Sequence, residues 1–157
     1  MPRPLIIGQA PAQGNDALPP FSGQSGARLA RLAGVGDTGD VLPNYFQLIN
    51  LVEYWPGKTK SGRGDLLPRD SAQAKANKIL SVLMKPGTAP RFVLLIGANV
   101  SDFMGFSDLP MLGGRFAGGH HFIKFPHPSG ASSYWNDRTQ SAIAGFILRG
   151  VLHHGRS

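Results

Sequence analysis

The stretch Phe92-Val93-Leu94-Leu95-Ile96, followed at once by Gly97-Ala98, decides the fold. A short, unbroken apolar run lacks the polar alternation of a strand with one wet face. It suits a central parallel strand covered on both faces. Working outward, apolar runs at 5–7, 45–51 and 121–125 join 91–96 as candidate strands. Helical spacing falls between them. Residues 26–32 carry Ala27, Leu29, Ala30 and Leu32, with Ser25 as N-cap and Gly34 as stop. Residues 71–84 carry Ala72, Ala76, Ile79, Leu80 and Leu83 after Asp70 as N-cap. A short helix is expected over 98–104. A last one spans 138–152, with Ala142, Ile143, Phe146, Ile147 and Val151 on one face. Strand followed by helix, repeated, predicts an α/β protein: a three-layer α/β/α sandwich with a central, mostly parallel four-stranded sheet, one domain over 1–157. The glycine-rich segments 56–68 and 113–119 read as flexible surface loops.

Composition bounds the function. The chain has 157 residues, 41% of them apolar, and a mean hydropathy of -0.10, enough to bury one core. Gly (21) and Pro (13) make it loop-rich but keep it short of the disordered range. Sixteen Lys and Arg oppose nine Asp and Glu, with Glu53 the single glutamate; the net charge is +7 and the pI near 10.3. An acidic partner is the first reading, nucleic acid above all, against a merely solubilising charge. Cysteine is absent. That excludes disulfides, thiolate zinc sites, iron–sulfur clusters and a cysteine nucleophile. No apolar run is long enough to span a membrane, and Met1-Pro2-Arg3-Pro4 does not open a signal peptide. A cytoplasmic monomer without cofactor is expected.

Ligands of open α/β sheets bind outside the carboxyl ends of the strands. Three groups follow strands here: Gly8-Gln9-Ala10-Pro11, Asn50 within Leu48-Ile49-Asn50-Leu51-Val52, and His127-Pro128-Ser129-Gly130. Each has a bland reading, as a turn, a strand-end polar residue or a surface loop histidine. They were picked out by position, yet all three should converge on one edge. The prolines around His127 hold it rigidly, as suits a preorganised donor.

With these residues the chain resembles the uracil-DNA glycosylase superfamily. Gly8-Gln9-Ala10-Pro11 is similar to its first motif, Asn50 to its base-reading asparagine, and His127-Pro128-Ser129 to its last loop. The stretch Pro20-Phe21-Ser22-Gly23-Gln24-Ser25-Gly26-Ala27-Arg28-Leu29 and the run Leu94-Leu95-Ile96-Gly97-Ala98 are similar to families 4 and 5. The likeness covers nearly the whole chain, in order.

The resemblance implies roles. Phe21 would stack on an extruded uracil, Asn50 would read O4 and N3–H, and backbone N–H groups of Gln9 and Ala10 would hold O2. His127 would meet the charge that develops on O2. Ser22, Ser25, Ser129, Gly130 and the helix start at Gly26 would grip phosphates, with Lys58, Lys60 and Arg63 adding backbone attraction. The implied activity is excision of uracil, or of other deaminated or modified bases, from DNA.

This chain departs from the family pattern twice. Families 4 and 5 typically carry a four-cysteine iron–sulfur cluster, and this chain has no cysteine, so the resemblance implies a divergent class. The first motif also lacks a carboxylate to activate water; Asp16 is the nearest, and it reads equally as a turn residue. Tyr134 or Trp135 is a candidate wedge into the duplex, although Trp135 also fits as packing at the start of the last helix.

Among rivals, His120, His121 and His127 make a poor zinc set, because adjacent residues on a strand face opposite ways. Gly23-Gln24-Ser25-Gly26 is not a nucleophile elbow, and no phosphate-cradling Lys-Ser/Thr loop is present. The remaining alternative is a module that binds damaged or single-stranded DNA without cutting it.

Overall fold

The structure, a computed structural model, describes residues 2–129 and 133–155. β1 (Leu5–Gly8) and β3 (Phe92–Ile96) lie parallel at the centre of the sheet. β2 (Gln47–Asn50) runs parallel beside β1, and β5 (His120–Phe125) parallel beside β3. β4 (Gly114–Ala117) closes the far edge antiparallel to β5, giving the order β2-β1-β3-β5-β4. The molecule is an α/β fold whose mostly parallel sheet is flanked by helices.

The unbroken apolar run of β3 divides between the two faces. Val93 and Leu95 pack with Leu5, Ile7 and Phe122 against α2 (Arg69–Leu83) and α3 (Gly97–Phe103). Leu94 and Ile96 pack with Ile6, Ile123 and Phe125 against α1 (Gln24–Ala33) and α4 (Arg138–Gly155). Leu94 and Leu95 are both 0% exposed, which is why no polar residue interrupts this strand.

The sheet has five strands, not four. β4 lies within the segment expected to be a flexible loop. Its residues are largely exposed, Phe116 by 74%, so no buried pattern advertises it. Gly118 and Gly119, at φ 58° and 85°, form the two-residue turn of a β4–β5 hairpin, a conformation side chains resist. The loop 56–68 is also better ordered than its composition suggests. Leu66 N–H donates to Gly57 O at 2.7 Å, and the Thr59 hydroxyl to Arg63 O at 2.7 Å.

Helix starts move earlier than expected. α1 opens at Gln24 with Gly23 as its cap and no side-chain cap bond, which puts Ser25 inside the first turn. α2 opens at Arg69 after Pro68, so Asp70 faces the positive end of the helix dipole from inside the first turn rather than capping it. α1 does stop at Gly34, which is left-handed. β2 is shorter than the apolar run 45–51, because a 3-10 turn, Gly39–Asn44, holds Tyr45 and Phe46 through Leu42 O.

Candidate active site

Parallel pairing lines up the strand ends. Gly8 pairs with Asn50 across β1 and β2, and Ile96 with Phe125 across β3 and β5. The segments that follow therefore lie along one edge. Leu51 N–H donates to Gly8 O at 2.9 Å and Val52 N–H to Gln9 O at 2.8 Å, so the turn after β1 is tied to the chain beyond Asn50. Asn99 Nδ2 donates to Gln9 Oε1 at 3.0 Å, linking the same turn to α3.

Asn50 is one of the few polar residues buried among the described residues, at 9% exposure. Its carboxamide meets the ring of Phe21 over Gly8. A methyl group on Gly8 would fall 2.5 Å from Phe21 Cζ and 2.6 Å from Asn50 Oδ1. Phe21 has φ 61°, which a bulky residue rarely adopts. Two glycines make room for it: a Cβ on Gly26 would stand 1.5 Å from Phe21 O, and one on Gly39 2.1 Å from it. The aromatic ring is thus aimed at Asn50 by a strained backbone that α1 and the 3-10 turn enclose.

His127 follows β5 and approaches β3's end, where a Cβ on Gly97 would lie 3.9 Å from its Cβ and Cδ2. Ser129 N–H donates to His127 Nδ1 at 3.1 Å. A ring nitrogen that accepts carries no proton, so the neutral ring holds its proton on Nε2. Burial lowers the His127 pKa below the ordinary 6.5, although part of the ring remains exposed, which keeps the ring neutral in neutral water. Trp135 Nε1 donates to His127 O at 2.8 Å. Arg28 Nη1 donates to Ser129 O at 3.2 Å, and its guanidinium lies 5.2 Å from the Trp135 ring centre. Arg28 escaped the sequence reading. Only the contact across α1 reveals it as a brace of the His127 loop.

Trp135 also packs on Phe125, and Tyr134 meets Trp135 edge-on at 5.1 Å while its hydroxyl donates to Gln140 O. Both wedge candidates are therefore occupied in packing. Asp16 Oδ1 accepts from Trp55 N–H at 3.0 Å, which fixes the loop after β1 to the chain beyond β2. The Ser22 hydroxyl donates to Pro19 O at 2.6 Å, and Ser25 is half-buried. Lys58, Lys60 and Arg63 are exposed on the loop that leaves the end of β2. Gly130 lies outside the described residues.

A cavity of about 330 Å³ opens beside Asn50, lined among others by Pro11, Pro20, Glu53 and Lys75. Lys75, hydrogen-bonded to Glu53 at 2.8 Å and paired with it in charge, holds the Glu53 carboxyl below its ordinary pKa. Glu53 drew notice in the sequence only as the single glutamate. Its place three residues beyond Asn50, where pairing with the first motif continues, was the available signal.

The histidines do not form a metal set. His120 is buried and its Nε2 donates to Leu83 O at 2.7 Å, while His121 stacks on Phe116 with centres 4.4 Å apart. No group of three or more His, Asp or Glu side chains able to hold a metal occurs among the described residues. No helix among them is long and apolar enough to cross a membrane.

An aromatic ring, a buried carboxamide and a histidine whose Nδ1 accepts a backbone N–H lie along the carboxyl edge of an α/β sheet. The chain matches the uracil DNA glycosylase superfamily over residues 1–147, and it belongs to that superfamily. No curated protein matches it.

Proposed function

We propose that this protein is a DNA glycosylase that extrudes uracil, or a related deaminated or modified base, and hydrolyses its N-glycosidic bond, the opening step of base excision repair. The observation that carries the reading is the bond from Ser129 N–H to His127 Nδ1, because it leaves the Nε2 proton as the one His127 can donate. Extruding a base costs a few kcal/mol. Phe21 offsets part of that by stacking, and the Asn50 carboxamide supplies both a donor for O4 and an acceptor for N3–H. As the bond from C1′ to N1 breaks, its electron pair stays on the base and charge gathers on O2. A neutral Nε2–H donor, with the backbone N–H groups of Gln9 and Ala10, meets that charge without reorganising. Water adds its hydroxyl to C1′, and its remaining proton goes to N1 of the departing base.

Departure of the base is largely dissociative in this reading, so a strong general base is not required. Asp16 is the proposed water-orienting carboxylate, standing in the loop that follows the first motif. Ser22, Ser25, Ser129 and Gly130 take phosphates near the extruded nucleotide, and Lys58, Lys60 and Arg63 add general attraction. Residues 20–29 and 94–98 support a position nearest families 4 and 5, as a divergent branch lacking cysteine.

The test is incubation with uracil-containing oligonucleotides, single- and double-stranded, followed by alkali. Strand scission at the uracil is expected. DNA binding with no scission, at excess protein and long times, would replace this reading with a non-catalytic binding module.

A further inference from the structure

A groove of about 490 Å³ runs between α1 and α4. Arg28 and Arg31, one helical turn apart on α1, and Arg149 on α4 line it, over a floor that includes Trp135, Ala142 and Gly145. No carboxylate lines it. A second hollow of about 300 Å³ shares Arg28 and Arg31 and reaches Pro128, the residue after His127. The two make one track from the His127 loop outward along α1.

Three guanidinium groups gathered without a counter-charge repel one another, and a merely solubilising charge has no reason to converge from two helices. The side-chain ion pairs among the described residues, Lys75–Glu53 and Arg115–Asp108, do not involve them. Arg28 and Arg149 are partly engaged with backbone carbonyls, Ser129 O and Leu32 O. Arg31 is exposed, and its side chain makes no hydrogen bond or ion pair among the described residues. From Gln24 to Arg31 the helix advances about 10 Å, long enough to lie beside successive phosphates of one strand.

We propose that this arginine track is a second DNA-backbone contact, carrying the strand that flanks the extruded nucleotide away from the His127 loop. It rests on the DNA-glycosylase reading, and it adds a binding surface to that reading. Arg31 and Arg149 are the phosphate contacts; Arg28 positions the loop.

The test measures binding of a labelled, uracil-free duplex of about 20 base pairs by fluorescence anisotropy, between about 50 and 200 mM salt. The unaltered protein, Arg31→Ala, Arg31→Ala with Arg149→Ala, and Arg69→Ala, an exposed arginine on α2, are compared, with melting curves to establish folding. Each lost phosphate contact should lower the log–log salt slope by about 0.9, so the double variant should lose about 1.8 and Arg31→Ala about half of that. Arg69→Ala should keep the original slope. Equal losses at Arg69 and Arg31, or a full slope in a folded Arg31→Ala protein, would overturn the track. If the unaltered protein excises uracil in either case, the glycosylase reading stands without it. If the unaltered protein neither binds nor excises, both readings fall.

Discussion

In the proposed reaction, His127 is the residue on which the chemistry turns. Its ring is held at Nδ1 by Ser129 N–H, and its backbone carbonyl by Trp135 Nε1–H. Replacing it with alanine removes the donor proposed to meet O2 and should lower kcat on uracil-containing DNA about 10²- to 10³-fold. Melting temperature at neutral pH should change little by comparison, since the residue, although its ring is partly buried, reaches the surface. Its titration gives a second expectation. Burial lowers the folded pKa, so the neutral form is preferred in the folded protein. The stabilisation that follows is present above the unfolded value of about 6.5 and is lost as pH falls through the folded pKa. Protonation also turns Nδ1 from acceptor to donor and breaks its bond with Ser129. An NMR titration of the ring should therefore give a midpoint below 6.5, and single-turnover excision should stay level down to that midpoint and fall beneath it. A midpoint above 6.5 would contradict the lowering by burial and the preference for the neutral ring that follows from it.

Elements carry the positions of these side chains. Phe21 reaches Asn50 because α1 and the 3-10 turn at 39–44 each present a glycine to its carbonyl. Gly26→Ala would set a methyl 1.5 Å from that oxygen and force Phe21 off its position. Uracil excision should drop about tenfold or more, with a loss of roughly 1–3 kcal/mol in urea unfolding from the overpacked turn. Equal activity would show that the strained φ of Phe21 serves no purpose in the site. β3 is a packing matter instead. Leu94 is fully enclosed between the sheet and the helices α1 and α4, so Leu94→Ala should cost about 2–5 kcal/mol in the same measurement. The helices were legible because burial of one face imposes a period on them, and the central strands because burial of both faces leaves an unbroken apolar run. β4 was not, because an exposed edge strand buries too little to leave one. The cap expected at Ser25 falls two residues earlier, at Gly23, and Gly26 then sits in the first turn against the Phe21 carbonyl.

At the scale of the molecule the excess of positive charge takes a shape. Lys58, Lys60 and Arg63 stand on the loop beyond β2, and Arg28, Arg31 and Arg149 converge between α1 and α4. The first three belong to the sequence reading; the second three are spread too widely along the chain for any local pattern to join them. Lys58→Ala combined with Arg63→Ala should weaken binding to DNA of any sequence alike and flatten its salt dependence by about 1.8 in the log–log slope. A change confined to uracil-containing DNA would mean instead that the loop belongs to the base pocket.

The sequence by itself determined the class of fold, the absence of thiolate chemistry, and the convergence of Gly8, Asn50 and His127 on one edge. All of these follow from local rules: side-chain period, residue type, and the parallel order of strands that brings their ends together. Only the tertiary structure decided the donor tautomer of His127, the glycine cradle of Phe21, the brace from Trp135 and Arg28, and the arginine track. Each of those depends on atoms from distant segments meeting within a few ångströms, and a chain read in one dimension holds no record of such distances.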